Sequence, residues 1–248
     1  MSSVFDRQAT EYDAARGGLE RGRQAARDLL PHLAPGTVLD VGVGTGAVAA
    51  ALHAADREVL GADLSLPMLH QAVNRLGSAV VCADATALPF ASRSVGNVLF
   101  AHVLHLVDDL DGAVAEAARV LRPGGRLLAL HGSPEPETED DVVAAMAVLD
   151  DLQRARRDSP EAITRAGRAG GLEPVTSLPA AAHPRAMSPS AFAGSLERRE
   201  PSFVLGLSEE EFARRVGPVV AALRALPDPE AARRQVWRVR LTVLARPR

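Results

Sequence analysis

Residues 38–48 read VLDVGVGTGAV. A short apolar run carrying one acid, Asp40, leads into three glycines, Gly42, Gly44 and Gly46, and then into a helix-forming segment. Glycine accepts backbone conformations, and close approaches, that a Cβ obstructs. A strand, a glycine-rich turn and a helix in that order make a loop whose backbone passes close to a nucleotide-like ligand. The spacing alone fits two ligands. Gly42, Gly44 and Ala47 satisfy the GxGxxA form of a dinucleotide fingerprint, and the three glycines equally satisfy GxGxG.

The segments on either side alternate between strand and helix. LERGRQAARDLLPHL (19–33) carries apolar residues at helical spacing and stops near Pro35-Gly36. After the glycines, AVAAALHAA reads as a helix and REVLGADL as a strand closing on Asp63. SLPMLHQAVNRLG has Ser65 as a cap, Pro67 in its first turn and Gly77 at its end. SAVVCAD, SVGNVLFAHVLHLV and GRLLALHG read as strands three to five, with DDLDGAVAEAARVL helical before the turn RPGG. Strands separated by helices predict a parallel sheet with right-handed crossovers over residues 36–132. Beyond it, Thr138–Arg157 and SPEAITRAGRAGGL read as helices, EPVTSLPAA as a sixth strand and VWRVRLTVLARPR as the last. His183–Ala232 holds proline-punctuated helical segments, read as a cap.

Composition narrows the chemistry. The 248 residues carry 28 basic and 31 acidic side chains, so there is no electrostatic footprint for a nucleic-acid backbone. Every basic residue is arginine, which excludes Schiff-base chemistry and a phosphate-loop lysine. Cys82 is the only cysteine, so an intrachain disulfide and a multi-cysteine metal site are excluded. The N-terminal MSSVFDRQATEYDAARGG lacks the apolar core of a signal peptide, and no apolar run nears the roughly 20 residues of a spanning helix. A cytoplasmic protein with no membrane partner is the expectation.

Three acids discriminate between the two ligands. Asp40 precedes Gly42 by two residues, where negative charge repels a pyrophosphate and favours a cation. Asp63 ends the second strand, suited to two ribose hydroxyls, a role that either ligand requires, and Asp84 ends the third, within reach of an adenine amino group. The set suits a ligand with an ammonium, a ribose and an adenine but no phosphate.

Taken in order, VLDVGVGTG (38–46), GADLSLPML (61–69), ADATALPF (83–90), VLHLVDD (103–109) and LRPGGRLL (121–128) make the chain resemble the class I S-adenosylmethionine-dependent methyltransferases. The similar group is the bacterial one that includes the ubiquinone and menaquinone biosynthesis enzymes. FDRQATEYDAARG resembles that group's lead-in, with Tyr12 where a segment folds over the cofactor. The resemblance implies an α/β, Rossmann-like, seven-stranded, mostly parallel sheet with helices on both faces, an antiparallel last strand and a helical cap. The implied division is a lead-in at 1–35, a core at 36–182, a cap at 183–235 and a final strand at 236–248. It implies that the loop from Asp40 to Gly46, with Gly42 and Gly44 in it, lines the methionine moiety and that Asp63 binds the ribose hydroxyls. Leu64 would pack on the adenine, Asp84 and Ala85 would meet its edge, and Ala101 and His102 would lie beside the methyl group. One departure is Val95-Gly96 where the group has Phe-Asp, which predicts looser packing there.

The implied activity is methyl transfer to an oxygen, nitrogen or carbon atom of a small molecule, giving S-adenosyl-L-homocysteine. His102, His105 and Tyr12 are candidate catalytic groups; packing or hydrogen bonding is the alternative for each histidine, and packing of an N-terminal helix for Tyr12. No metal is expected, because Asp108 and Asp109 are more simply acids at a helix start. The acidic run Glu135–Asp141 is read as a solvated helix start, with binding of an amine substrate the alternative, and Arg198, Arg199, Arg214 and Arg215 as a solvated cap surface, with recognition of a carboxylate the alternative. Phe192 and Phe203 either line a substrate pocket or hold the cap together. Two alternatives stay open: a protein that binds the sulfonium cofactor without methylating, and an oxidoreductase using NAD(P).

Overall fold

β1 (Val38–Val41) is buried along its whole length and pairs in parallel with β2 (Val59–Asp63) on one side and β4 (Val95–Ala101) on the other. Strands covered on both faces need continuous apolar runs, which is what VLDV and VGNVLFA supply. In this computed structural model residues 9, 12–13, 17–136, 140–154, 158–181 and 183–248 are described. β3 (Val80–Cys82) pairs with β2, and β5 (Leu121–Pro136) pairs with β4, all in parallel. β8 (Arg233–Ala245) lies beyond β5 and runs antiparallel to β6 (Glu173–Pro179). The order β3-β2-β1-β4-β5-β8-β6 reverses direction between β1 and β4, which puts a crevice at the carboxyl ends of those two strands.

The helix Leu66–Leu76 follows its sequence signals: the Ser65 hydroxyl accepts from Met68 N, Pro67 sits in the first turn and Gly77 closes it at φ 59°. Other elements differ from the reading. β4 stops at Ala101 because His102 turns the chain at φ 58°, and Leu104–Leu106 forms a short 3-10 turn. β5 starts at Leu121, which pairs with Val95; the ladder then resumes at Asn97–Arg126, so the RPGG turn bulges out of a strand instead of preceding one. His183–Met187, expected in the helical cap, is a strand, β7, antiparallel to the first half of β8. It forms because β8 begins at Arg233 and offers those residues an edge, and proline in an edge strand costs little. The sheet therefore counts eight strands among the described residues, the seven expected and β7. The expected helix 138–157 is broken into Asp141–Met146, Ala147–Leu149 and Asp150–Arg154. Its ends at Thr138 and Ala155–Arg157, like most of the lead-in FDRQATEYDAARG, lie outside the described residues.

Two compact units result. The first comprises Met1–Gly132, Arg157–Ala180 and Arg240–Arg248, and the second Ser133–Arg156 and Ala181–Val239. The first is centred on Leu39, Val98, Phe100, Leu127 and Val114, all fully or almost fully buried. The second has its own apolar core of Met146, Leu149, Leu196, Val216 and Leu223, against which Phe192 and Phe203 pack. Three of the four arginines read as solvated in that unit are tied down: Arg198 to Glu200, Arg215 to Asp151, and Arg199 to Glu209 with its guanidinium 4.3 Å from the Phe212 ring centre.

The Val95-Gly96 departure does not loosen the packing. Val95 is 3% exposed, and a Cβ on Gly96 would stand 2.4 Å from the Pro35 carbonyl oxygen. Next to it, buried Asn97 accepts from Ala34 N at 2.8 Å and donates to Ala34 O at 3.0 Å. Glycine here is what lets the end of the N-terminal helical segment lie against β4. Gly96→Ala is expected to cost about 1–3 kcal/mol, because the clash is with backbone that has no rotamer to change. Urea denaturation of the two proteins measures this; equal midpoints would contradict it.

Candidate cofactor site

The turn after β1 is built on three positive backbone angles, at Gly42 (φ 76°), Gly44 (φ 55°) and Gly46 (φ 80°). Each glycine answers a different constraint. A Cβ on Gly42 would meet Val103 at 2.4 Å and one on Gly46 would meet Ala72 at 3.3 Å, whereas one on Gly44 would enter open space. Gly44 thus turns a bare backbone face outward, in the first turn of a strand-to-helix crossover. The turn is pinned by Asp63 at the end of β2, whose Oδ2 accepts from Gly44 N at 2.7 Å and whose Oδ1 accepts from Ser65 N at 2.9 Å.

The N-terminal helix Gly18–Leu29 closes against this turn through Gly22, where a Cβ would lie 2.2 Å from Ala47 O. That approach brings Arg21 and Ala25 into one concave lining with Tyr12, Asp13, Asp40, Gly42, Gly44, Thr45, Ala101 and His102. His102 holds a left-handed conformation that glycine favours, a strain of about 1 kcal/mol or more, fixed by its N–H to Leu130 O at 2.8 Å.

Asp40 dominates the electrostatics. It is 1% exposed, and its Oδ1 has no hydrogen-bond partner among the described residues. Burial, and secondarily the negative charge of Asp63, push its carboxyl up to about 7. A buried carboxylate short of partners on a concave wall is a place where a cation is welcome. Asp84 differs: it is exposed, and its Oδ1 accepts from both the N–H and the hydroxyl of Thr86, at 2.8 and 2.7 Å, which holds its carboxyl below the usual carboxylate range.

Of the residues singled out in the sequence, this lining brings together Tyr12, Asp40, Gly42, Gly44, Ala101 and His102. Asp63 joins through its bond to Gly44 N. Gly46 shapes the turn from behind, while Leu64 (56% exposed), Asp84 and Ala85 lie outside this lining. His105 is also outside it; its Nδ1 stands 3.9 Å from Asp158 Oδ2, and Asp158 O in turn meets His131 Nδ1 at 2.7 Å. Sequence reasoning missed Asp13, Arg21 and Gly22, while Thr45 lies inside the loop it named. Only the place of Asp13 next to Tyr12 in the lead-in pointed toward any of them. Among the described residues no group of three or more His, Cys, Asp or Glu is placed to hold a metal, and no helix is long and apolar enough to cross a membrane.

The strand order, the glycine turn and the acids at successive strand ends define a Rossmann-like methyltransferase fold. Residues 39–129 match the family described as a methyltransferase domain. The chain is 36% identical over 145 residues to the ubiquinone/menaquinone biosynthesis C-methyltransferase UbiE of Desulfotalea psychrophila, covering 54% of this chain and 58% of that one. It is 32% identical over 171 residues to the demethylmenaquinone methyltransferase of Beutenbergia cavernae, covering 65% and 71%. The chain belongs to this methyltransferase family, and it spans just over half the length of the Desulfotalea relative. In fold it resembles a SAM-dependent methyltransferase of Thermotoga maritima, described as a possible histamine N-methyltransferase, at 18% identity and TM-score 0.58 over 99% of each chain.

A carboxyl raised from 3.8 to about 7 binds more protons in the folded than in the unfolded chain between those values. Ligand-free stability therefore falls as pH rises from 4 through 7, by up to about 4 kcal/mol at about 1.4 kcal/mol per unit. Melting temperatures of the free protein from pH 5 to 8 should decline and the Asp40→Asn variant should flatten that slope; parallel curves would contradict it.

Proposed function

We propose that the protein is an S-adenosyl-L-methionine-dependent methyltransferase acting on an oxygen, nitrogen or carbon nucleophile of a small molecule. The observation that carries the reading is the buried Asp40 carboxylate, short of a hydrogen-bond partner, on the same wall as the bare Gly44 backbone. A dinucleotide would bring a pyrophosphate to that wall, and like charges in a poorly solvated site repel strongly. An α-ammonium group has the opposite sign. Arg21, in the same lining, supplies the cation for the adjoining carboxylate of an amino-acid moiety.

The remaining roles follow the same polarity. Asp63, already facing the turn, takes the ribose hydroxyls, Leu64 offers an exposed apolar face to the adenine, and Asp84 keeps Oδ2 for its amino group with Ala85 alongside. The cofactor supplies a methyl group already activated on a sulfonium. The protein's work is then alignment and exclusion of water, which can contribute several kcal/mol. Ala101, which ends β4, orients the acceptor together with His102 and Tyr12, and His102 is assigned to take a proton from it. His105, beside Asp158, is assigned a supporting place and not contact with the acceptor.

Calorimetric titration with S-adenosyl-L-methionine, S-adenosyl-L-homocysteine and NADH tests the reading. Both sulfur compounds should bind and NADH should not, and Asp63→Ala should weaken binding about tenfold or more. Because the ammonium prefers ionised Asp40, affinity should rise with pH toward 7 and fall by up to about tenfold per unit below it, with proton release on binding near neutrality. Binding of NADH alone would sink the proposal. Conversion to S-adenosyl-L-homocysteine with a candidate acceptor separates a methyltransferase from a protein that only holds the cofactor.

A further inference from the structure

Arg75 stands in the last turn of the helix Leu66–Leu76 and is absent from the concave lining. A cation there suits the carboxyl end of its own helix, where solvent alone would satisfy it. Its guanidinium reaches across instead. Nη1 donates to the backbone carbonyl of Thr45 at 2.7 Å, and Nη2 pairs with Asp13 Oδ2. The ring closes where the Thr45 hydroxyl donates to Asp13 Oδ1 at 2.7 Å. Three residues from three separate segments are thus joined: one beside Tyr12, one inside the glycine turn, and one on a helix that carries no residue of the pocket wall.

The place of Thr45 gives this ring its consequence. It lies between Gly44 and Gly46, two of the turn's three glycines whose positive φ and missing side chains leave them free to move elsewhere in conformational space. Asp63 fixes Gly44 from one side through its N–H. Arg75 and Asp13 fix the other side through a carbonyl and a hydroxyl. With side chains 23% and 32% exposed and Thr45 itself 3% exposed, the pair is screened less than a surface ion pair.

We propose that Arg75 is a positioning residue that sets cofactor affinity by holding Asp13 and Thr45, and with them Tyr12 and the glycine turn, in the binding geometry. The proposal rests on the cofactor reading above. Apparent affinity scales with the fraction of molecules in the competent conformation. A turn competent about one-tenth of the time binds about tenfold more weakly, without loss of any direct contact.

The test uses Arg75→Met, Asp13→Asn and the double variant, with two readouts. The first is the Kd for S-adenosyl-L-homocysteine; the second is hydrogen exchange in the ligand-free protein at the Gly46 amide, which donates to Val43 O at 2.9 Å. The expected result is a roughly tenfold rise in Kd for each single variant, no further rise in the double, and faster exchange at Gly46 in all three. A Kd within twofold of the wild type, or single effects that multiply in the double variant, overturns the proposal. If wild type binds neither sulfur compound, the cofactor reading itself has failed. Exchange then decides alone: faster at Gly46 in both singles upholds the ring as the holder of the turn, unchanged overturns it. Should Arg75→Met not fold, Asp13→Asn breaks the same ring, and its Kd and exchange decide between the same two outcomes.

Discussion

One carboxylate, that of Asp63, joins the end of β2 to the turn after β1, accepting from Gly44 N with one oxygen and Ser65 N with the other. Much else follows from that tie. A turn with three glycines at positive φ has little intrinsic preference for a single shape, so its form must be imposed by partners. Asp63 imposes it from the sheet, and in doing so puts a second negative charge near Asp40, which burial has already deprived of water. The charge of Asp63 therefore adds to burial in disfavouring the ionised form of Asp40.

Much of the first unit was legible because its signals are local. The cap, proline and terminal glycine of the helix Leu66–Leu76 act within a few residues, and buried parallel strands must be continuous apolar runs. Asp40 could be read as a cation partner from its place before the glycines. Its burial, and so the size of its effect, depends on both neighbouring strands. What stayed hidden was nonlocal. Nothing in FAHVLH announces that His102 leaves the strand at positive φ, because few residues other than glycine do so even where histidine is enriched. β7 exists because distant Arg233–Trp237 presents an edge to it. Gly22 reads as an ordinary, slightly poor helix residue until the helix is packed so close that a Cβ would lie 2.2 Å from a carbonyl oxygen. Gly96 looked like a loss relative to the family pattern and is a steric requirement.

The candidate site was legible to the same degree. Residues recognised by charge or by absence of a side chain, such as Asp40, Asp63 and Gly44, could be picked out one at a time. Those whose meaning lies in a partnership could not. Arg21 is one arginine among 28 basic residues until a helix carries it to the pocket, and the separation of His105 from that wall is set by the turn at His102.

The second unit is assembled from two stretches of chain, Ser133–Arg156 and Ala181–Val239, and has an apolar core of its own. Residues 39–129, which carry the family likeness, fall wholly within the first unit. β1 to β4 contain no residue of those two stretches, while β5 (Leu121–Pro136) runs across the boundary at Ser133. A change confined to the second unit's apolar core therefore replaces no residue of the glycine turn or of the two strands that flank β1.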